Sequence, residues 1–126
     1  MQAGTVKTIL ICEDDDSLRQ LIRVVIGAGY RIVEAGDGDE ALALASEHRP
    51  DLIVLDLMMP RMSGFDVLRR LRGDVSVDGT HIVVMSAWPN AEEAALEAGA
   101  DKYIQKPFDL DELTGVVESL LGGPDE

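Results

Sequence analysis

The sequence predicts an α/β fold: a doubly wound, five-stranded parallel sheet with helices on both faces. Two observations lead to this fold class. Short apolar runs alternate five times with segments of helical periodicity, so each strand is followed by a crossover helix. The third run, residues 52–55, is entirely apolar, which is typical of a central strand that is buried on both faces.

The first strand–helix unit combines a buried run at residues 9–12 with an amphipathic stripe. The stripe follows the i, i+3, i+4, i+7 pattern of a helix. Its members are Leu18, Leu21, Ile22 and Val25. Asp16 and Ser17 suit a helix N-terminus, and we expect the helix to stop at the glycines of residues 27–29.

The second unit is less apolar. Residues 31–35 partly alternate in polarity, which indicates a more exposed edge strand. Residues 39–47 place Ala41, Leu42 and Ala45 on one helical face. In the third unit, the apolar run ends abruptly at Asp56. A loop with Pro60 and Gly64 then leads into a helix whose apolar residues are spaced in threes, namely Phe65, Leu68 and Leu71.

The last two units follow the same pattern. Residues 81–85 form the fourth predicted strand, and a helix of small residues ends at Gly99; its face comprises Ala91, Ala94, Ala95 and Ala98. Residues 102–105 form a weaker fifth strand. The final helix ends at Gly122 and presents Leu113, Val116, Val117 and Leu120.

Length and composition bound the domain organisation. With 126 residues, 46% of them hydrophobic, the chain is predicted to form a single domain, residues 1–126, with a core of about 7–121. We expect short flexible tails at 1–5 and 122–126. The net charge of −13 disfavours direct contact with nucleic acid or an anionic membrane.

The number of cysteines and the N-terminal sequence bear on the cellular location of the protein. Cys12 is the only cysteine, so the chain has no internal disulfide and no cysteine-rich metal site. The first eight residues lack the apolar core of a signal peptide, and no apolar run approaches the length of a membrane span. A cytoplasmic location is therefore expected.

Polar residues that carry chemistry follow the strands. In a sheet of order 2-1-3-4-5, strands one and three are neighbours at the switch point, where ligands bind. Acidic residues 13–16 follow strand one, and Asp56, Ser86 and Lys106 follow strands three, four and five. Crowded carboxylates require a cation, and oxygen ligands favour Mg²⁺ or Mn²⁺. Carboxylates, a metal and a lysine together indicate phosphoryl transfer, with Asp56 as the nucleophile.

Each of these residues also has a structural explanation. Asp15 and Asp16 are expected to cap the next helix rather than bind a metal. Asp56 alone would be read as a turn residue, Ser86 as a helix cap and Lys106 as a surface lysine. The functional interpretation therefore depends on their convergence, together with Glu13 and Asp14.

The chain resembles the receiver domain of two-component response regulators, the group that includes the chemotaxis receiver. The resemblance covers about residues 7–121 and rests on five motifs in order. They are ILICEDD at 9–15, DLIVLDLMMP at 51–60 with Ser63-Gly64, VMSA at 84–87, GADKY at 99–103 and KPF at 106–108. It implies a flavodoxin-like three-layer (βα)5 sandwich.

The resemblance also implies roles. Asp56 would accept a phosphoryl group from a phosphohistidine on a sensor histidine kinase or a phosphotransfer protein, and Lys106 would pair with a phosphoryl oxygen. Ser86 and Tyr103 would form the switch, the first turning toward the phosphate and the second swinging inward. The expected Mg²⁺ ligands are Asp14, Asp56 and the backbone carbonyl of Met58, with Glu13 acting directly or through water.

Partners follow from the same resemblance. The kinase is expected to dock near the first helix, at Leu18 and Leu21, and near the loop after Phe108. Output is expected through the fourth helix, the fifth strand and the fifth helix, toward a downstream protein or an effector domain. The chain would assist only its own phosphorylation and dephosphorylation, so it is not expected to be an enzyme.

The sequence departs from the family pattern in two places. Glu13 stands where the family usually has Asp, and Ser86 where Thr is common. Met58 and Trp88 lie two residues beyond Asp56 and Ser86, at positions that in the resembled family influence access of water to the phosphate. A bulky apolar pair there predicts slow loss of the phosphoryl group.

Three other functions compete. A haloacid-dehalogenase-type phosphatase also uses an Asp nucleophile and Mg²⁺, but it needs a second Asp at position 58, which is Met. A flavin binder of similar fold would place a phosphate-binding loop after strand one, where the acids would repel the phosphate. A receiver-like module that binds partners without phosphorylation remains the third alternative.

Overall fold

The computed structural model of the protein describes residues 6–122. Its sheet has five parallel strands in the order β2-β1-β3-β4-β5, which confirms the predicted topology. The predicted tails lie outside the described residues, apart from Gly122. The strands are β1 (Thr8–Cys12), β2 (Arg31–Ala35), β3 (Leu52–Asp56), β4 (His81–Ser86) and β5 (Lys102–Gln105).

Helices cover both faces of the sheet and complete three layers. Alternate residues of β1 and β3 point to opposite faces, so the core divides into two clusters. Helices α1 and α5 cover one cluster, and α2, α3 and α4 cover the other. The helices are α1 (Asp16–Ile26), α2 (Gly38–His48), α3 (Gly64–Arg72), α4 (Glu92–Glu97) and α5 (Leu110–Leu121).

Strand β3 is central, as its apolar sequence predicted. All five of its residues are buried, including the terminal Asp56. In the parallel register, Leu55 pairs with Cys12 of β1, and Asp56 pairs with Met85 of β4. The three strands therefore end at the same edge of the sheet, and the residue that follows Cys12 lies beside Asp56.

Side-chain hydrogen bonds cap the N-termini of three of the helices. The Asp15 carboxylate accepts a hydrogen bond from the Leu18 amide, which confirms that Asp15 caps α1. Asp37 caps α2 in the same way, and the Ser63 hydroxyl accepts from the Phe65 amide at the start of α3. Capping by Asp15 also fixes where the acidic segment turns into the helix.

Two details of the predicted helices were wrong. In α1 the core residues are Ile22 and Ile26, whereas Leu21, which we placed on the buried stripe, is 44% exposed. A helix turns by about 100° per residue, so Leu21 lies to the solvent side of Ile22. Helix α4 is also shorter than its alanine pattern indicated: it has six residues, and Ala94 is exposed.

The short 3-10 turn at Val75–Val77 was not predicted. Its three residues are too few to show a helical period, and only Val77 is buried. The turn packs Val77 into the cluster beneath α2 and α3.

Gly64 allows α3 to start close to the loop that follows β3. Its amide donates to the Leu57 carbonyl at 3.0 Å, and a Cβ at Gly64 would lie 2.3 Å from Leu57 Cα. We predict that Gly64→Ala lowers the free energy of unfolding by about 1–3 kcal/mol. The added methyl group would force the backbone of Leu57 and that of residue 64 apart.

Gly115→Ala in α5 is the matched control. A Cβ there meets nothing within 4 Å, so this variant should gain about 0.5–1 kcal/mol from higher helix propensity. Urea unfolding of both variants measures the difference. Equal stability of the two variants would contradict the close approach at Gly64.

Candidate functional site

The carboxyl ends of the strands bring the predicted residues together. Glu13 follows β1, Asp56 ends β3, Ser86 ends β4, and Lys106 follows β5. Glu13, Asp56 and Ser86 are all buried, which is unusual for polar residues at strand ends. Their burial indicates a formed site rather than a solvated loop.

Lys106 joins two of the acids. Its Nζ atom donates to Glu13 Oε1 at 2.9 Å and to Asp56 Oδ2 at 3.2 Å. The two carboxylate side chains are only 2% and 3% exposed. The Lys106–Pro107 peptide bond is cis. Lys106 is therefore a partner of buried carboxylates, which does not favour the alternative interpretation as a surface lysine.

Burial and charge act in opposite directions on this pair. Burial raises the pKa of Glu13, and it outweighs the hydrogen bonds from Lys106 and Asp15 that favour the carboxylate. For Lys106, burial lowers the pKa, but the bond to Glu13 and the negative charge of Asp56 outweigh it, so the pKa of Lys106 is raised. Lys106 thus stays cationic between its two partners.

Glu13, Asp14 and Asp56 form a set of oxygen donors. One carboxylate oxygen from each lies within 4.8 Å of the other two. Glu13 Oε2 also accepts the Asp15 amide at 3.0 Å, and Asp56 Oδ1 accepts the Met58 amide at 3.1 Å. Three carboxylate groups at this spacing suit a hard divalent cation, so the residues could hold a metal ion.

Ser86 and Trp88 are linked beside Asp56. The Trp88 amide donates to Ser86 Oγ at 2.9 Å, so Ser86 forms a turn after β4 and does not cap α4, which begins later. The Trp88 ring stacks on Phe65, with ring centroids 6.2 Å apart. The Tyr103 hydroxyl donates to the Trp88 carbonyl at 3.2 Å. The predicted switch residues therefore share one neighbour.

Arg19 is a further residue at the site that was not predicted from the sequence. Its Nη1 atom donates to the Glu13 carbonyl, and its Nε atom pairs with Glu34 on the edge strand β2. The available signal was an arginine one turn after an acidic run, but the partner on β2 lies 15 positions away. Only the fold brings the two together.

Comparison with known proteins identifies the family. The family model described as "Response regulator receiver domain" matches residues 9–118. The chain belongs to the response regulator receiver family. The receiver is also 42% identical over 121 residues to the DNA-binding response regulator MtrA of Mycolicibacterium paratuberculosis. That match covers 94% of this chain but 52% of the relative, so the receiver spans about half the length of the curated protein.

Solved structures support the same conclusion. A response regulator from Chloroflexus aurantiacus aligns with a TM-score of 0.86 and 32% identity, covering 94% of the receiver and 99% of that chain. The receiver domain of the sensor histidine kinase PA1611 from Pseudomonas aeruginosa aligns with a TM-score of 0.84 and 27% identity, over 94% and 100% of the chains. A magnesium ion is coordinated in the active-site cleft of the PA1611 domain.

Within residues 6–122, no helix of the receiver is both long enough and apolar enough to cross a membrane.

Glu34 provides a pH-dependent test of the support around the site. Burial acts to raise its pKa, but hydrogen bonds from Arg23 and Arg19 outweigh it, so the pKa of Glu34 is lowered. A lowered pKa adds stability above the carboxyl's ordinary value of 4.5, and this stability is lost as pH falls through the folded value.

We predict that Glu34→Gln costs about 1 kcal/mol of unfolding free energy near neutral pH. The difference from wild type should shrink as the pH drops below 4.5, the ordinary value for this carboxyl. Urea unfolding at several pH values measures it, with the exposed Glu93→Gln on α4 as the control. If the difference in unfolding free energy did not change with pH, Glu34 would stabilise the fold through its shape rather than its charge.

Proposed function

We propose that this receiver accepts a phosphoryl group on Asp56 from a phosphohistidine of a sensor histidine kinase or phosphotransfer protein. The observation that carries the proposal is the Lys106 ammonium, which contacts Asp56 and Glu13 at the edge of the sheet. A fixed cation at the acceptor carboxylate is what phosphoryl transfer requires, because negative charge accumulates on the phosphoryl oxygens.

Mg²⁺ is the proposed cofactor. Glu13, Asp14 and Asp56 would hold it, with the Met58 backbone carbonyl as a further ligand. The all-oxygen donor set and its spacing fit this ion. The bound ion would neutralise phosphoryl oxygens. The magnesium in the Pseudomonas aeruginosa domain favours Mg²⁺ over the Mn²⁺ that the ligand types alone also allow.

The transfer itself is a displacement at phosphorus. A carboxylate oxygen of Asp56 forms the new O–P bond as the P–N bond to the kinase histidine breaks, and the electron pair of that bond returns to the imidazole nitrogen. Lys106 stabilises the phosphoryl oxygens and holds Asp56 in place. The receiver would assist only this step and the later hydrolysis, so we propose a signalling phosphoacceptor.

A switch built on Ser86 and Tyr103 would read the phosphorylated state. The added phosphate carries about −1.5 to −2 charges at neutral pH, and it offers the Ser86 hydroxyl a strong acceptor. If the Ser86 hydroxyl turned toward the phosphate, it would break the hydrogen bond that it now accepts from the Trp88 amide. Because the Trp88 carbonyl holds Tyr103, the change would pass to β5 and the surface around it.

An apolar groove next to Lys106 is the proposed docking surface for the kinase. It has a volume of about 460 Å³ and includes the two α1 leucines that the sequence analysis named. Because Lys106 is part of the wall, a helix seated there would bring its phosphohistidine to Asp56. The other lining residues are Leu18, Leu21, Ala87, Pro107, Phe108 and Leu110.

The structure does not favour the alternative phosphatase. The residue two positions after Asp56 is Met58, whose side chain is 47% exposed and carries no proton to give a leaving group. Since MtrA is a DNA-binding response regulator, we propose that output from this receiver passes to an effector domain or separate protein. With a net charge of −13, the chain itself is not expected to bind DNA.

Acetyl phosphate provides a kinase-free test. With Mg²⁺, wild type should gain one phosphoryl group per chain by intact mass, and Asp56→Asn should gain none. Asp78→Asn, at an exposed loop position, is the control and should behave as wild type. A chelator should abolish labelling. Labelling that persists in Asp56→Asn would contradict the assignment, and no labelling of wild type would favour the phosphorylation-independent module.

Fluorescence reports the same site without covalent chemistry. Trp88 is the only tryptophan, and its amide contacts Ser86. Adding Mg²⁺ or beryllofluoride should therefore change the emission of wild type. An unchanged spectrum from folded protein would contradict the placement of the site.

Met58 and Trp88 are predicted to slow hydrolysis of the phosphorylated form. Both side chains are partly exposed. The Met58 amide bonds Asp56 and the Trp88 amide bonds Ser86, so their bulk would exclude water near the acceptor. The Met58→Ala/Trp88→Ala double variant should lose its phosphoryl group about tenfold faster, which corresponds to about 1.4 kcal/mol in the barrier. Leu96→Ala on α4 is the control. An unchanged rate in the double variant would show that these side chains do not shield the phosphate.

A further inference from the structure

We propose that Arg19 is a positioning residue for phosphoryl transfer, fixing the acidic segment after β1 from its anchor on the edge strand β2. This inference rests on the proposed function, since it assigns Arg19 to the support of the Mg²⁺ and phosphoryl site. Arg19 itself contacts neither Asp56 nor Lys106 in the hydrogen bonds that the structure gives it.

The guanidinium group of Arg19 joins three separate acceptors. Nη1 donates to the Glu13 backbone carbonyl at 2.7 Å, Nε to Glu34 Oε1 at 2.9 Å, and Nη2 to Asp16 Oδ1 at 2.6 Å. The Arg19 side chain is only 18% exposed, so these bonds are partly shielded from water. One side chain thus links β2, the start of α1 and the residue that carries the Lys106 contact.

The contact with the Glu13 carbonyl orients Asp14. A peptide unit is planar, so the carbonyl of Glu13 and the backbone nitrogen of Asp14 turn together. On the other side of Glu13, its own amide donates to the Ala35 carbonyl at 3.0 Å. Glu13 is therefore held on both sides by β2, once directly and once through Arg19 and Glu34.

Asp14 depends on this backbone more than its neighbours do. Glu13 and Asp56 are buried and held by Lys106, whereas Asp14 is exposed. The Asp14 carboxylate stays close to those of Glu13 and Asp56 only if the backbone of the segment after β1 keeps its orientation. Groups that orient metal ligands in this way typically contribute about 10–100-fold to affinity or activity.

Arginine is suited to this role by its shape. The planar guanidinium presents donors in a fixed fork, so it can bond three acceptors in different directions at once. A lysine ammonium is a single point charge on a flexible stem and cannot hold the same three groups in one geometry. The proposal therefore predicts that charge alone does not replace Arg19.

Arg23 offers a matched control. It lies one turn later on α1 and bonds the other oxygen of the same Glu34 carboxylate, but its side chain is 57% exposed and, within residues 6–122, its ion pair is with Glu34 alone. Arg19→Gln and Arg23→Gln remove the same charge from the same helix. Only the first also removes the bond to the Glu13 carbonyl.

The test measures Mg²⁺ affinity by calorimetry and backbone amide exchange by NMR in wild type and three variants. Arg19→Gln and Arg19→Lys should weaken Mg²⁺ binding by about tenfold, whereas Arg23→Gln should stay within about twofold of wild type. The Asp15 amide, which donates to Glu13 Oε2, should exchange faster in both Arg19 variants while the amides of β3 stay protected.

The outcomes separate position from charge. If Arg19 acted only as a nearby cation, both glutamine variants would bind Mg²⁺ more tightly and Arg19→Lys would match wild type, which would overturn the proposal. Equal behaviour of Arg19→Gln and Arg23→Gln would also overturn it. If wild type binds no Mg²⁺ or is not phosphorylated, the proposed function fails, and the Asp15 exchange comparison still decides whether Arg19 orders the segment.

Discussion

The ammonium group of Lys106 lies between two buried carboxylates, those of Glu13 and Asp56, and this contact constrains the rest of the site. Removing a carboxylate from water is costly unless a cation and hydrogen bonds compensate for the lost hydration. Lys106 supplies the cation, and the amides of Asp15 and Met58 supply further donors. With Asp14 added, the acids outnumber the cation, which leaves a negative charge that a divalent ion would balance.

The topology of the sheet is what allows this contact. Glu13 and Lys106 lie 93 positions apart in the chain, and Asp56 lies 50 positions from Lys106. Each follows or ends a parallel strand, so a common edge brings them together without any local sequence relationship. The same arrangement places β2 next to β1, so that Glu34 on β2 pairs with Arg19 of α1, which also donates to the Glu13 carbonyl.

Much of this could be predicted from the sequence, because the signals were local. The apolar β3 ending in Asp56, the capping by Asp15 and the order of the elements depend on neighbouring residues. The Lys106 contact needed the fold rule that strand ends converge. The ion pair of Arg19 with Glu34 and the stacking of Phe65 on Trp88 could not be predicted, since both depend on the orientation of side chains from separate elements. The wrong burial predicted for Leu21 has a similar cause. The apolar period shows which α1 residues share a face, but it does not show how the helix is rotated about its axis relative to the sheet.

A crystal structure of the protein with Mg²⁺ and beryllofluoride tests the central claim most directly. The account predicts one cation held by oxygens of Asp14 and Asp56, beryllofluoride attached to the Asp56 carboxylate, and the Lys106 ammonium in contact with a fluoride. A cation bound elsewhere, or an unmodified Asp56 with Lys106 turned to solvent, would contradict it.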